Sequence, residues 1–345
     1  MRLLVTGAAG FIGTNFVRQA MGARRTDVDR LVVVDALTYA GNWANLEPLA
    51  ADACFRFVKA DIADAPAMAA LVREEGIDTL VNFAAESHVD RSIEDTAPFV
   101  RTNVHGTIAL LEAVRGLAGF RSFLHVSTDE VYGTIPTGRA TETSPLRPSS
   151  PYAASKAAAD GFVQAYATTH GVPAAITRCS NNYGPFQFPE KLIPLFVTNA
   201  FAGEPLPVYG DGMQVRDWIH VADHCEALWR VLELGVRDGD VYNVSAHNEV
   251  PNRDVTAEIL RLTGRGPDLV RHVQDRPGHD RRYALDASKL RATGWAPRWT
   301  FADGLADTIA WYRDHREWWG AVKSGAYRDY YTRMYADRLR SAKNP

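Results

Sequence analysis

Leu3-Leu-Val-Thr6 runs directly into Gly7-Ala-Ala-Gly10-Phe-Ile-Gly13. An apolar, β-prone run, a glycine cluster and a helical stretch from Phe11 to about Ala20 predict strand, turn, helix. Glycine is needed where a backbone turns sharply, where it approaches a pyrophosphate, and where helix and strand pack closely. The helix start then offers free N–H groups to the anion. Gly7, Gly10 and Gly13 therefore outline a dinucleotide bed. Such a triplet also occurs in ordinary turns, so its neighbours decide. Asp35 closes the next β-prone run, about 20 residues further on. A carboxylate there takes both ribose hydroxyls and repels a 2′-phosphate, which favours NAD over NADP. Asp61-Ile62, after the third run, are placed to hold the adenine in the same way.

The rhythm continues outward. Leu31–Val34, Phe55–Val58, Thr79–Phe83, Ser122–Val126 and Ala174–Thr177 are short apolar runs separated by helix-compatible segments. Strands buried on both faces read this way, which predicts an α/β fold with a doubly wound parallel sheet. From Asn181 onward Pro and Gly become frequent and the alternation breaks. Residues 1–180 are therefore expected to form a cofactor-binding domain, completed by some later segments. Residues 181–345 form a smaller C-terminal mixed α/β lobe. The 345 residues leave room for both.

Composition narrows the partners. With 46% apolar and 23% charged residues the chain is an ordinary folded protein. Its net charge of −3 provides no general attraction for nucleic acid or a membrane surface, so phosphate must be held by local groups. Cys54, Cys179 and Cys225 are scattered and odd in number, which fits a reducing cytoplasm and suggests neither a disulfide framework nor a zinc site. The first residues do not read as a signal sequence, and no run is long enough to span a bilayer. His220-Val-Ala-Asp-His224 lacks the glutamate of the zinc-protease pattern, so these histidines read as polar helix positions and no metal is expected. Trp and Tyr alternate with Arg from Trp311 to Pro345, as expected of packing on the second lobe.

Tyr152-Ala-Ala-Ser-Lys156 sets a phenol and an ammonium one helical turn apart on one face. A nearby cation favours phenolate, which makes Tyr152 a credible base for a substrate hydroxyl. Ser127-Thr128 lies upstream at a strand end. Together with the glycine turn, this set resembles the extended branch of the short-chain dehydrogenase/reductase superfamily, which acts on nucleotide sugars on a Rossmann-type fold. The resemblance implies that Thr128 hydrogen-bonds the sugar hydroxyl being oxidised and that Lys156 also holds the nicotinamide ribose. Asp129-Glu130 follows at once. Eliminating water from a sugar requires one group to remove a carbon proton and another to protonate the departing hydroxyl, and two carboxyls in different environments can divide those tasks.

Longer strings sharpen the likeness. Asp35–Asn42, Ala84–Ile93, Ser127–Gly133, Arg178–Pro185, Phe188–Pro194, Arg216–Trp218 and Asp275–Tyr283 resemble those of the dTDP-glucose 4,6-dehydratase family. Ala36 stands where many members carry Lys. The likeness implies a cofactor wall of Phe11, Ile12, Ala36, Leu37, Thr38, Phe83, Ala84, Ala85, Glu86, Thr102 and Asn182. It implies a substrate wall of Ser87, Asn181, Glu190, Lys191, Leu192, Asn252, Asp275 and His279. Arg216 and Arg276 offer fork-shaped donors suited to a pyrophosphate, and Pro207-Val208-Tyr209 could flank the base. The implied reaction on dTDP-glucose is oxidation at carbon 4 with Tyr152 as base, removal of the carbon-5 proton by Glu130, protonation of the leaving 6-hydroxyl by Asp129, and hydride return to carbon 6. The helices Asn103–Arg115 and Ala153–Ala167 present apolar stripes, which in relatives form a four-helix bundle between two subunits. Two other readings share the fold: an NAD-dependent nucleotide-sugar 4-epimerase, against which Asp129-Glu130 argues, and a non-enzymatic NAD-sensing regulator, which would have no use for Tyr152 and Lys156.

Overall fold

Seven parallel strands form the central sheet, and apart from the half-exposed edge strand Phe55–Lys59 their side chains are buried on both faces almost throughout. The computed structural model describes residues 1–235, 238–275, 278–324, 331, 332, 335 and 339. The sheet strands are β1 (Arg2–Thr6), β2 (Arg30–Asp35), β3 (Phe55–Lys59), β4 (Thr79–Asn82), β5 (Ser122–Thr128) and β6 (Ala174–Cys179), joined by a later strand, Asp240–Val244. Between β6 and that strand come β7 (Asn181–Tyr183), β8 (Leu206–Tyr209) and β9 (Val215–His220), so the late sheet strand is β10. The spatial order is β10-β6-β5-β4-β1-β2-β3, with every pairing parallel. Chain order reverses between β1 and β4. Their carboxyl ends splay the connecting loops apart there and leave a crevice.

Helices cover both faces. Phe11–Met21 and Val221–Glu233 pack on one side, where Phe16 and Trp229 stack at 4.5 Å. Ala65–Glu74, Thr107–Val114 and Pro151–His170 cover the other. The sequence places the last of these closely: Ser150 accepts from Ala153 N, Pro151 supplies the first turn, and Gly171 (φ 64°) ends the helix in the left-handed region. The helix expected from Asn103 begins earlier, as a π-helical turn over Val100–Gly106 that becomes α-helical at Thr107. Gly106 lets that turn close onto Ile62, whose Cδ1 would lie 2.5 Å from any Cβ.

A third core holds the rest. A sheet of order β11-β9-β7, with β11 Glu249–Pro251, and the pair β8 with β12 (Val270–Val273) pack beside helices Leu192–Ala202, Asn252–Thr263 and Phe301–Asp314. The chain crosses between the cores several times after residue 180. Ile219, Val221, Trp229, Leu290 and Trp295 belong to the core around the seven-stranded sheet. Trp311, Trp318 and Trp319 pack against the third core.

Candidate active site

The crevice between β1 and β4 opens into a cleft of about 460 Å³ walled by loops of the central sheet on one side and by residues of the third core on the other. Every described residue expected at the site lines it except Leu37 and Asp275; Arg276 lies outside the described residues. Leu37 has φ 52° and packs its side chain against the core, while its N–H donates to Asp35 Oδ1 at 2.8 Å. It serves the acidic residue through its backbone. Asp275 stands behind the wall, accepting from Gln214 Nε2 at 2.8 Å and pairing with His279 Nδ1 at 2.5 Å. Its place is to hold His279, which does face the cleft.

At one end the glycine turn is a cradle that any side chain would fill. A Cβ on Gly7 (φ 67°) would lie 2.6 Å from Ala84 N, and one on Gly13 would lie 2.3 Å from Gly7 O. Gly10 caps the first helix without a side-chain hydrogen bond, which leaves that helix start to an anion. Asp35 Oδ2 accepts from Ala9 N at 2.9 Å, tying the β2 end to the turn. Burial pushes its carboxyl above the usual range, and the N–H groups of Leu37 and Ala9 oppose that shift. Asp61 accepts from Ala63 N and pairs with Arg101 at 2.7 Å. This acidic, glycine-floored groove fits an adenosine diphosphate with two free ribose hydroxyls.

The chemistry gathers where β5 ends. The strand runs two residues beyond the expected Val126, so Ser127 and Thr128 are extended and buried, and Asp129–Tyr132 then turns away as a 3₁₀ helix. Gly133 (φ 71°) permits this turn, since a Cβ there would collide with Arg147 O at 2.2 Å. Thr128 Oγ1 donates to Asp129 Oδ1 and accepts from Glu130 N, both at 3.3 Å. Asp129 is buried, with Oδ2 making no hydrogen bond among the described residues. Burial, then the Glu130 and Asp217 carboxylates, hold its carboxyl well above the usual range. It stands in a different environment from the more exposed Glu130 beside it, and unequal surroundings of this kind allow two carboxyls to divide acid and base roles.

Tyr152 and Lys156 enter from helix Pro151–His170, both buried and both lining the cleft. The expectation that a cation lowers the phenol's pKa is not met by these groups alone. Burial and then Glu130 push the Tyr152 hydroxyl well above its ordinary value, with a hydrogen bond to Thr128 as a counterweight. Lys156 spends a proton on Val126 O at 2.8 Å, and burial brings its own pKa down to about 8.

The opposite wall is polar and largely buried. Arg216 is held by Val215 O (2.9 Å) and Asp280 O (3.0 Å), with its guanidinium 4.3 Å from the Tyr283 ring centre. Glu190 accepts from the Tyr39 hydroxyl at 3.1 Å, and burial raises its carboxyl to about 7. Lys191 Nζ donates to Ser87 O at 2.8 Å, stitching this wall to the β4 loop. Asn181 Oδ1 and Asn252 Oδ1 are buried with no hydrogen bond among the described residues, a costly arrangement unless a ligand supplies donors. Tyr209 donates to Asp90 Oδ2 at 3.1 Å, and Tyr335 leans on it at 6.3 Å between ring centres.

Several lining residues had no expected role. His88, Asp90 and Tyr283 sit inside the strings that carried the family likeness, so a signal was present and unread. Tyr335 comes from the tail, and no local pattern points it inward. His220 and His224 are not ordinary polar helix positions. His220 caps helix Val221–Glu233 by accepting from Ala222 N, and buried His224 pairs with Asn182 Oδ1 at 2.8 Å. Among the described residues no group of three His, Cys, Asp or Glu is arranged to hold a metal ion, and no helix is long and apolar enough to cross a membrane.

This geometry has close counterparts. Residues 4–308 match the GDP-mannose 4,6 dehydratase family. The chain is 52% identical to a dTDP-glucose 4,6-dehydratase of Streptomyces niveus, over 94% of this chain and 96% of the relative. It is 45% identical to dTDP-glucose 4,6-dehydratase 1 of Escherichia coli K12, over 98% and 100%. The crystal structure of a dTDP-glucose 4,6-dehydratase from Streptomyces venezuelae, solved with NAD bound, superposes with a TM-score of 0.90 at 53% identity, over 94% of this chain and all of that one. A Thermus thermophilus UDP-glucose 4-epimerase in complex with NAD superposes less well, with a TM-score of 0.83 at 32% identity over 91% and 100%.

Proposed function

The chain belongs to the dTDP-glucose 4,6-dehydratase family, and from that premise we propose how its own residues carry the reaction. It is an NAD-dependent hydro-lyase that converts dTDP-glucose to dTDP-4-keto-6-deoxyglucose and water. The observation that carries the mechanism is the unequal pair at the β5 end, with Asp129 buried beside the more exposed Glu130.

The Gly7–Gly13 turn, Asp35 and the β4 loop would hold NAD, which would supply a reversible hydride acceptor with no net redox change over the cycle. Thr128 orients the 4-hydroxyl and Tyr152 takes its proton. The resulting ketone acidifies carbon 5, whose proton Glu130 removes. Asp129 protonates the 6-hydroxyl as it leaves. Arg216 faces the diphosphate, Glu190, Asn181 and Asn252 face the sugar and its linkage, and Tyr209 with Tyr335 flanks the base. Two copies pair through the outer faces of helices Val100–Val114 and Pro151–His170, where Val100 and Phe162 are exposed. The enzyme works in the cytoplasm, where Cys54, Cys179 and Cys225, all buried and unbonded, stay reduced.

Incubating the purified protein with dTDP-glucose and no added reductant is expected to release water and yield a 4-ketone lacking the 6-hydroxyl. Recovery of the galactose epimer alone would overturn the assignment. Gly13→Ala is expected to abolish thermal stabilisation by NAD, because the Gly7–Ala8 backbone of the cradle must move away from the new methyl. The fold itself should lose about 1–3 kcal/mol. A melting curve that NAD still raises as in the native chain would refute the cradle.

A further inference from the structure

Glu190 is an acid on the cleft wall with only 4% of its side chain exposed. Oε1 accepts from the Tyr39 hydroxyl at 3.1 Å. Oε2 makes no hydrogen bond among the described residues, since His88 Nε2 at 3.8 Å and Arg91 Nη2 at 4.0 Å stand too far off to bond it. Asn181 Oδ1 and Asn252 Oδ1, from residues lining the same cleft, are also buried acceptors without a donor among the described residues. Acceptors left in this state call for a ligand rich in hydroxyl groups. Tyr39 reaches Glu190 from a distant part of the chain. It follows Asp35 in the loop after β2, which is tied back to the glycine turn by Asn42 N donating to Ala9 O at 3.0 Å. Tyr39 itself does not line the cleft. The Arg91 guanidinium lies 3.7 Å from its ring centre, and the Phe188 ring packs edge-on at 5.7 Å. A phenylalanine would fill this cage equally well, so the hydroxyl has a purpose beyond packing. Burial and then the Glu190 carboxylate hold the phenol well above its ordinary value, which keeps it a donor.

We propose that Tyr39 is a positioning residue for sugar recognition: its hydroxyl, with Arg91 stacked on its ring, fixes the Glu190 carboxylate on the cleft wall, where it accepts from the glucose hydroxyls of dTDP-glucose. The inference rests on the reading that Glu190 faces the sugar. The groups facing Glu190 are Tyr39 from the β2 loop, Glu86 and His88 from the β4 loop, Arg91 from the helix Val89–Glu94, and Lys191 beside it. Burial raises the carboxyl, Lys191, Arg91 and the Tyr39 bond oppose that shift, Glu86 adds to it, and the balance stands at about 7. Deleting the Tyr39 hydroxyl removes one of the groups that favour the carboxylate, so Glu190 takes up its proton at a higher pH. One loop thus serves both ligands, with Asp35 turned to the cofactor ribose and Tyr39 steadying the acceptor for the sugar.

Tyr39→Phe keeps the ring beneath Arg91 and removes only the hydroxyl. Calorimetry in a Tyr152→Phe background with NAD in excess, where the chemistry is expected to stall, reads binding alone. Adding Tyr39→Phe to that parent is expected to weaken dTDP-glucose about tenfold at neutral pH and to leave dTDP, which lacks the sugar, within about twofold. The fall in dTDP-glucose affinity on acidification should begin at a higher pH than in the parent. The proposal is overturned if both ligands bind as they do to the parent, if both weaken equally, or if the acid fall keeps its midpoint. A parent that binds neither ligand would overturn the assigned substrate, and this inference with it, so the two failures are distinguishable.

Discussion

Glu130→Gln is expected to stop the reaction after oxidation at carbon 4. Glutamine keeps the size and the backbone N–H to Thr128 Oγ1 but has no basic oxygen for the carbon-5 proton. Turnover should fall by about 10²–10⁴. In D₂O the native enzyme places deuterium at carbon 5, and the variant should not. The same change acts on Tyr152. The Glu130 carboxylate is the largest cause after burial that raises the phenol. Removing a negative neighbour stabilises phenolate and lowers that pKa, so oxidation at carbon 4 should persist in the variant to lower pH than in the native enzyme. Undiminished exchange at carbon 5 would show that another group is the base.

Tyr152→Phe removes the acceptor for the 4-hydroxyl proton and should lower turnover by at least about 10²–10⁴. Lys156, Asp35 and the glycine turn are untouched, so cofactor affinity should change little. Two signs distinguish lost chemistry from lost structure. The isotope effect with 4-deuterated substrate should grow, because oxidation becomes fully rate-limiting. The acid limb of the pH profile, where the phenol must give up its proton before it can accept another, should vanish. A variant that keeps both the rate and the limb would remove Tyr152 from the mechanism.

The fold and the reacting groups were legible because they are local. Strand, glycine turn and helix are adjacent in the chain, Tyr152 and Lys156 are one turn apart, and Asp129-Glu130 follows a strand end. What escaped is which way a side chain faces, and which residues far apart in the chain meet in space. Asp35 with Leu37, and Asp275 with His279, are short-range pairs in which one member faces the cleft and the other supports it, and spacing does not say which. Tyr335 reaches the base end through tertiary packing of the tail. The sign of the Tyr152 shift also escaped, because a pattern shows that a lysine is near but not that it is spent on Val126 O. His125 reads in the sequence as one polar residue in an apolar strand, and its ring meets Asn82, itself bonded to Thr6 and Thr107, only in the folded chain.

The repeated crossing of the chain between the seven-stranded sheet and the third core bears on how such a protein can change. Strand β10 and helix Val221–Glu233 complete the cofactor side, yet they lie in the chain between β9 and β11, which are paired neighbours in the sheet of the other lobe. No single cut frees one lobe from the other. The lobe proposed to recognise the nucleotide is therefore not a cassette that recombination could exchange whole. A new substrate has to be won in place, by substitutions along the wall of Arg216, Tyr209 and Asn252, while the shared threads keep both halves folded.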